Sequence, residues 1–277
     1  MVLELDRNDV VNIEKIYSAI LKNKSFLITS HQNLDGDAIG SELSLYFLLK
    51  KLNRAVDIIN WDRVPPIYKF LPFVKKADIY NENNIKKNFD VVIVIDCGCL
   101  ERIVGISKYI KDALIINIDH HFSNSNFGNI NWVNPKFSAT GEMIYFIIEK
   151  FGKFDKSIAT CIYTAILTDT GRFTYKISKF TIDIIKNLIA YNIDPVYIGK
   201  KIYLEKPLKS IKLLSLSLNN LKFDYKNKIC WMKVTQQLYE TTKTDETYTE
   251  GFIDFLSEIK EAKVIFFNKG KKRWYKS

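Results

Sequence analysis

The chain has 277 residues, 47% of them hydrophobic, and a formal net charge of +10. The length allows one large domain or two smaller ones, and the hydrophobic content is that of a protein with a buried core, which excludes a disordered chain. No run of about 18 apolar residues occurs and the first residues include acids, so we expect no membrane span, no signal peptide and a cytoplasmic location.

The first half of the chain alternates between strand-like and helical patterns. An amphipathic helix is predicted over residues 9–23. Short runs rich in valine and isoleucine then predict strands at residues 25–29, 55–59, 91–95 and 114–118. Helical patterns lie between them at residues 38–52 and 100–110. This alternation, with strands that are apolar almost throughout, predicts an α/β fold in which helices cover both faces of a parallel sheet.

The second half is predicted to be mainly helical up to about residue 219, after which strand-like patterns appear. Helical patterns lie at residues 139–150, 157–168, 180–191 and 195–219. A hairpin is then predicted from two short strands, at residues 221–225 and 229–234. A short helix near residues 250–259 and a strand over residues 262–267 follow. The polar helical stretch before the hairpin is typical of a linker between two domains.

All three histidines lie in two short segments that also hold clustered aspartates. The first segment runs from His31 through Asp35 and Asp37, and the second is Asp119-His120-His121. Imidazole nitrogens and carboxylate oxygens together form the ligand set of a hydrolytic transition-metal centre. The two segments therefore indicate a metal site.

The positions of these residues along the predicted strands indicate that they meet in space. His31 follows the first strand, Asp96 ends the third, and Asp119 ends the fourth. The carboxyl ends of parallel strands share one edge of a sheet, which is where open α/β folds bind ligands. We therefore expect these groups to converge, together with Asp169, which lies between two helical patterns.

Each aspartate has an ordinary structural interpretation when it is considered alone. Asp35-Gly36-Asp37 is also the sequence of a common solvated turn, and an aspartate that ends a strand, as Asp96 does, often caps the next helix. The nearby histidines favour the metal site over these alternatives. Adjacent histidines at a strand end cannot both face the same way, so one imidazole can ligate metal while the other meets substrate.

The candidate metal ligands are two imidazoles and four carboxylates: His31, Asp35, Asp37, Asp96, His120 and Asp169. This set is too large for one tetrahedral site and suits two ions that share a bridging carboxylate. Such a pair, about 3.5–4 Å apart, can activate a bridging water and stabilise phosphoryl oxygens. Mixed nitrogen and oxygen ligation favours Mn²⁺, and Fe²⁺, Co²⁺ and Zn²⁺ are also compatible.

Four motifs that follow one another along the chain resemble those of the DHH phosphoesterase family. They are His31-Gln-Asn-Leu-Asp35-Gly-Asp37-Ala-Ile-Gly-Ser41, Val-Ile-Asp96-Cys-Gly98, Asp119-His120-His121 and Thr168-Asp169-Thr-Gly171. Within the family, the chain is most similar to the bacterial branch of nanoRNases and 3′-phosphoadenosine 5′-phosphate phosphatases, which is related to RecJ exonuclease.

The resemblance implies specific roles for these residues. His31, Asp35 and Asp96 would hold one Mn²⁺ ion. A second ion would be held by Asp37, Asp96, His120 and Asp169, with Asp96 as the bridge. Asp119 would orient His120, and His121 would contact the scissile phosphate or support the site. Arg172 is a candidate phosphate contact, although a surface arginine explains it equally well.

The resemblance also implies a domain organisation and a set of ligands. A DHH catalytic domain would span residues 1–185, a helical linker 186–215, and a partial DHHA1 substrate-binding domain 216–277. The expected partners are short RNA or nucleotide phosphates, with no membrane partner, and family members often form homodimers. The implied reaction is Mn²⁺-dependent phosphoester hydrolysis by a water that two metal ions activate.

The C-terminal segment departs from the family pattern, which leaves alternatives open. A glycine-rich motif ending in histidine is expected there, but no histidine follows His121. The metal site is therefore expected to be complete and the substrate clamp to be missing. The alternatives are a dinucleotide phosphodiesterase acting on linear or cyclic substrates, a truncated and poorly active nucleotide-binding remnant, and a pyrophosphatase, which the segment after Asp169 disfavours.

Cysteine content and charge add little to this hypothesis. The four cysteines form no CxxC pair and are expected to be reduced thiols. The basic charge suits an anionic ligand such as a nucleotide, but its lysines are spread along the chain, and a compositional bias of the gene would also account for them. The sharpest basic cluster, residues 269–273, is interpreted as a solvated turn.

Overall fold

A computed structural model describes residues 4–81, 88–103, 105–107, 110 and 112–270. Two compact units are found, one within Met1–Val64 and Tyr68–Gly199 and the other within Pro65–Ile67 and Lys200–Ser277. Across the described ranges, no helix combines the length and the apolar composition needed to cross a bilayer.

The first unit is built on a six-stranded sheet in which every pair of neighbouring strands is parallel. Its strands are β1 (Ser25–Ser30), β2 (Ala55–Asn60), β3 (Ala77–Ile79), β4 (Val91–Ile95), β5 (Leu114–Asp119) and β6 (Ile130–Val133). The spatial order is β3-β2-β1-β4-β5-β6, so the order reverses between β1 and β4. The predicted parallel α/β sheet is confirmed, and the crevice at its reversal point is the usual ligand site of such sheets.

The helices of the first unit are α1 (Arg7–Lys22), α2 (Gly36–Lys51), α3 (Thr140–Phe151), α4 (Lys156–Asp169), α5 (Thr181–Ile189) and α6 (Pro195–Gly199). Aspartates cap three of them, because their carboxylates accept a backbone N–H that the first turn leaves unpaired. These capping residues are Asp6 for α1, Asp35 for α2 and Asp155 for α4. The predicted helices over 9–23, 38–52, 139–150 and 157–168 are thus confirmed to within three residues at each end.

Helix α2 is buried along most of its length because it packs against both the sheet and α4. Two glycines permit the close approach of α4. A Cβ atom on Gly40 would lie 2.5 Å from the carbonyl oxygen of Cys161, and one on Gly36 would lie 2.3 Å from Oγ1 of Thr168. The first turn of α2 therefore rests directly against the last turn of α4.

Gly40→Ala is expected to destabilise the protein, because the new methyl group would meet a backbone oxygen that cannot move without shifting α4. Overpacking of this kind costs about 1–3 kcal/mol, which corresponds to a fall in Tm of roughly 3–10 °C. Thermal melting monitored by circular dichroism would measure it. Gly199→Ala is the matched control, since nothing lies within 4 Å of a Cβ there. Equal melting temperatures for the two variants would contradict this account of the packing.

The opposite face of the sheet is covered differently from the prediction. Residues 100–110 were expected to form a helix, but their described part contains no α-helix and begins with a 3₁₀ turn at Leu100–Arg102. Apolar side chains from this irregular segment, such as Ile103 and Ile106, still pack against Val92 and Val94 of β4. Burial of these side chains explains the apolar periodicity of the segment, so the pattern does not require a helix.

The predicted helix over residues 195–219 is interrupted. After α6 the chain forms a π-helical stretch, Lys200–Leu204, and then helix α7 (Leu208–Leu218). Pro207 is the residue before α7, and a proline in the middle of a helix would lack a donor and clash with the preceding turn. The long periodic pattern therefore breaks at this proline.

The second unit contains a three-stranded sheet, two short helices and α7. Strands β7 (Lys222–Asp224) and β8 (Ile229–Val234) form the predicted antiparallel hairpin, and β9 (Val264–Lys269) adds a parallel edge. Helix α9 (Phe252–Ser257) matches a prediction, whereas α8 (Gln236–Thr242) was not predicted. Their apolar side chains form a core of their own. Residues 271–277, which include most of the basic cluster, lie outside the described residues.

Candidate metal centre

The polar segments identified in the sequence meet at the carboxyl edge of the parallel sheet. His31 directly follows β1, Asp96 directly follows β4, and Asp119 is the last residue of β5. Strands β1 and β4 are neighbours at the point where the strand order reverses. The expected convergence is therefore present, and it occurs in the crevice where open α/β sheets bind ligands.

The first group of side chains consists of His31, Asp35 and Asp96. Nε2 of His31 lies 3.6 Å from an oxygen of Asp35 and 3.4 Å from Oδ2 of Asp96. Nδ1 of the same ring lies 2.8 Å from the backbone carbonyl oxygen of Gln32, to which it can donate its proton. In that tautomer, the lone pair of Nε2 faces the two carboxylates, as ligation of a cation requires.

Asp35 has a second task as the cap of α2. One of its oxygens accepts the backbone N–H of Ala38 at 3.0 Å, and the other faces His31. Burial raises the pKa of Asp35, but the hydrogen bond and positive charge of His31 outweigh this effect and bring the pKa to about 2. The carboxylate is therefore ionised and held in place at neutral pH.

The second group consists of Asp37, His120 and Asp169. Nε2 of His120 lies 3.8 Å from Asp37, 3.3 Å from Asp169 and 3.6 Å from Oδ1 of Asp96. Among the described residues, this nitrogen is one of few buried side-chain polar atoms without a hydrogen-bond partner. An imidazole nitrogen that is buried, unpaired and surrounded by carboxylate oxygens has the surroundings of a metal ligand.

Asp96 belongs to both groups, since Oδ2 faces His31 and Oδ1 faces His120. The carboxylate is almost completely buried, and Oδ1 also accepts a hydrogen bond from the hydroxyl of Thr140 at 3.0 Å. Its backbone has a φ of +53°, in the left-handed region that aspartate and asparagine tolerate better than most residues. This turn aims the side chain between the two groups.

Asp37 is fixed by the amino end of helix α3. Its two oxygens accept the backbone N–H groups of Thr140, at 2.6 Å, and Gly141, at 2.9 Å. The unpaired N–H groups at a helix start favour a negative charge. Sequence reasoning missed Thr140, because its contacts with Asp37 and Asp96 span more than 40 residues of chain.

The structure pairs Asp119 with His121, whereas the sequence analysis expected Asp119 to orient His120. Oδ1 of Asp119 lies 2.7 Å from Nδ1 of His121 and 3.2 Å from its backbone nitrogen. The chain turns immediately after β5, and this turn brings the imidazole of His121 close to the carboxylate of Asp119. This contact raises the pKa of His121 to about 9. If Nδ1 donates to Asp119, Nε2 is the ring atom of His121 that stays available to a ligand.

Three polar residues that sequence reasoning missed hold the loops of the site. The amide of Asn124 donates to Oδ2 of Asp119 at 2.6 Å, and Asp62 accepts the backbone N–H of Asn33, within the loop between His31 and Asp35. Asn60 accepts the backbone N–H of the last residue of β1. All three lie near strand ends, and this position was the only sign in the sequence that they could belong to the site.

Arg172 is exposed and lies three residues after Asp169 in the loop beyond α4. Its backbone is left-handed, with a φ of +62°, and its N–H donates to the carbonyl of Leu167 at 3.0 Å. The role of Arg172 as a phosphate contact stays a prediction.

Crowding of the carboxylates shifts their protonation. Burial, followed by the charge of Asp96, raises the pKa of Asp169 to about 8 and raises that of Asp37 well above its ordinary value. The four carboxylates of the two groups thus outnumber the two imidazoles that lie among them. Together with the unpaired nitrogen of His120, this imbalance fits the binding of divalent cations.

The metal-free protein is expected to lose stability as pH rises from about 4 to 9. Asp169 has a pKa of about 8 when folded and an ordinary value of 3.8, and His121 changes from 6.5 to about 9 on folding. In both cases the folded chain binds more protons across that interval, so a rise in pH favours unfolding. Melting temperatures of the chelator-treated protein at several pH values would measure this loss. A melting temperature that rises with pH across the interval would contradict it.

Several known proteins are similar to this chain in sequence. The family model described as "DHH family, N-terminal domain" matches residues 25–166. The chain is 29% identical over 243 residues to the bifunctional oligoribonuclease and PAP phosphatase NrnA of Thermus thermophilus, which covers 87% of this chain and 71% of that protein. It is 25% identical over 261 residues to NrnA of Bacillus subtilis, covering 92% of this chain and 79% of that protein.

Solved structures show the same architecture. An exopolyphosphatase-related protein from Bacteroides fragilis superposes with a TM-score of 0.82 at 28% identity, covering 91% of this chain and 78% of that one. A putative family II inorganic pyrophosphatase from Methanococcus jannaschii gives a TM-score of 0.53 at 17% identity, covering 88% and 84% of the two chains. The second likeness concerns the fold alone.

Proposed function

Since this chain belongs to the DHH family, we propose that it is a phosphoesterase that hydrolyses short oligoribonucleotides and 3′-phosphoadenosine 5′-phosphate. The proposal of substrates draws on the names of the NrnA relatives, which describe an oligoribonuclease and PAP phosphatase. The observation that carries the proposal is Asp96, whose two oxygens face two separate groups of imidazole and carboxylate side chains. A shared carboxylate of this kind suits two-metal phosphoester hydrolysis.

The proposed cofactor is a pair of divalent ions, with Mn²⁺ favoured by the mixture of nitrogen and oxygen donors. His31, Asp35 and Asp96 would hold one ion, and Asp37, Asp96, His120 and Asp169 the other. When bound, the ions supply a nucleophilic water at neutral pH and stabilise charge on the phosphoryl oxygens. The hydrogen bonds that fix His31 and Asp37 would keep their donor atoms aimed inward.

His121 would hold the proton that the leaving group needs. Asp119 keeps Nδ1 of His121 engaged and raises the pKa of the ring, which favours a proton on Nε2. As water adds to phosphorus and the ester P–O bond breaks, the departing oxygen would take this proton, leaving a neutral imidazole that is reprotonated from solvent. Arg172 would contact the phosphate.

The proposal is tested with purified protein, added Mn²⁺ and a panel of substrates. The panel comprises a diadenylate, longer oligoribonucleotides, a cyclic dinucleotide, 3′-phosphoadenosine 5′-phosphate and pyrophosphate. We expect turnover of diadenylate and of 3′-phosphoadenosine 5′-phosphate, and none of pyrophosphate. A preference for pyrophosphate would overturn the substrate class. Protein that binds two metal ions but leaves every nucleotide intact would contradict the proposed activity.

Other features of the hypothesis remain proposals. The domain boundaries of 185 and 215, and the likeness of residues 216–277 to a DHHA1 domain, rest on the family resemblance alone. Homodimer formation and a cytoplasmic location likewise stay predictions, which size-exclusion chromatography with light scattering and cell fractionation would test.

A further inference from the structure

Phe122 is the most exposed large apolar side chain in the part of the chain that the structure describes, with 94% of its surface open to solvent. It directly follows His121, so the two Cα atoms are about 3.8 Å apart. His121 lies 3.5 Å from Asp96 through its Nδ1 atom. Phe122 is therefore the next residue in the chain after a histidine of the candidate metal centre.

The turn that carries Phe122 is anchored on both sides. Before it, the backbone N–H of His121 donates to Asp119. After it, the amide of Asn124 donates to the side chains of Asn117 and Asp119 and to the carbonyl of Cys97. A segment tied at this many points holds its backbone in one conformation, and that conformation places the ring in solvent rather than in the core.

A single exposed apolar side chain is common and does not by itself indicate a ligand. Phe122 differs in three respects: its exposure is nearly complete, polar contacts hold the chain on either side of it, and its neighbour is a histidine of the candidate site. Phe122 stands on a backbone that is already held in place, so less conformational entropy is lost when a ligand covers its ring. Its surroundings therefore suit a flat apolar group that arrives together with a phosphate.

A nucleotide has this combination of groups, since its base lies one ribose away from its phosphate. Every base has a π-face, so stacking on an aromatic ring binds the base with little dependence on its identity. A short, mixed set of RNA substrates needs such a sequence-tolerant contact. Stacking also needs no charged group on the protein. This suits a site in which carboxylates that hold no cation would repel a polyanion.

We propose that Phe122 is a stacking platform for the nucleobase next to the scissile phosphate. This inference rests on the proposed function and adds a substrate-binding residue to it. Stacking on Phe122 would distinguish substrates that carry a base beside the reacting phosphate from phosphoesters that do not. Phe122 touches the substrate in this account but takes no part in bond breaking.

Kinetics with paired substrates test the proposal. Phe122→Ala is expected to raise the KM for a diadenylate about 10-fold, the effect of losing one stacked base, with little change in kcat. Phe122→Trp should keep the wild-type KM, and Phe122→Leu should lie between the two. On a dinucleotide with an abasic ribose in place of the stacked nucleoside, all four proteins should have the same KM. Leu21→Ala, which trims an exposed side chain on α1, is the control and should change neither constant.

Fluorescence provides a readout that a structural role would not affect. Two dinucleotide probes carry 2-aminopurine at the 5′ or the 3′ position and a non-hydrolysable phosphonate linkage. The wild type and Phe122→Trp should quench at least one probe, and Phe122→Ala should bind that probe with less quenching. Unchanged quenching and KM in Phe122→Ala, in a protein that hydrolyses diadenylate, would overturn the stacking role alone. Quenching by Phe122 in a wild type that hydrolyses no nucleotide would instead overturn the proposed function.

Discussion

Asp96→Asn is expected to lower turnover of diadenylate about 1,000-fold or more while the fold remains intact. The shared carboxylate would serve both ions, and the charge stabilisation that a metal pair provides, several kcal/mol, corresponds to about three powers of ten in rate. Asparagine keeps an acceptor for the Thr140 hydroxyl and tolerates the left-handed backbone of this position. The loss should therefore come from metal binding and not from misfolding.

Thermal melting separates these two causes for Asp96→Asn. The charge of Asp96 repels Asp37 and Asp169 but attracts His31 and His121, so its removal should change the stability of the metal-free protein little. Mn²⁺ at about 100 times its Kd should stabilise the wild type by about 2.7 kcal/mol per site and the variant by much less. Asp96→Ala should be less stable than Asp96→Asn, because alanine in a left-handed turn costs about 1 kcal/mol. Wild-type turnover in Asp96→Asn would refute the assignment of Asp96 as the shared ligand.

His121→Gln is expected to slow hydrolysis of diadenylate by roughly 100- to 10,000-fold, the usual contribution of a general acid. Glutamine can still donate a hydrogen bond to a phosphoryl oxygen, but it cannot give up a proton to the departing oxygen. Asp119→Asn should have a smaller effect in the same direction, because it removes the carboxylate that raises the pKa of His121. Single-turnover rates under saturating Mn²⁺ would measure both losses.

A change of leaving group tests the proton-donor role of His121. A p-nitrophenyl ester of a nucleotide releases a stable phenolate that needs no proton. Its hydrolysis by His121→Gln should therefore be close to the wild-type rate, provided the metal ions remain bound. Equal losses on the two substrates would show that His121 supports the site without donating a proton. Metal stoichiometry should stay at wild-type values in this variant, since His121 is not among the proposed metal ligands.

The sequence predicted those parts of the fold that depend on local patterns. The apolar runs of β1 and β4 and the periodic pattern of α4 appear where they were expected. The parallel arrangement follows from their alternation with helices, and this alone placed His31 and Asp96 at one edge. Edge strand β3 was missed because its three residues carry too little pattern to distinguish it from a loop.

The contacts that hold the site could not be predicted in the same way. Asp37 binds the start of α3, and Asp62 binds the loop after His31, through contacts that span long stretches of chain. Such contacts depend on the packing of whole elements, which a single sequence does not specify. The expected pairing of Asp119 with His120 differed from the structure for a related reason: the turn after β5, and not spacing along the strand, decides which imidazole reaches the carboxylate.

Titration of metal-stripped protein tests most directly whether this chain is a phosphoesterase whose activity depends on two metal ions. Protein treated with chelator would receive Mn²⁺ in increasing equivalents, with bound metal and diadenylate hydrolysis measured on the same samples. We expect no turnover without metal and a rise in turnover that follows occupancy of the second site. Full activity in the stripped protein, or none when both sites are filled, would contradict the claim.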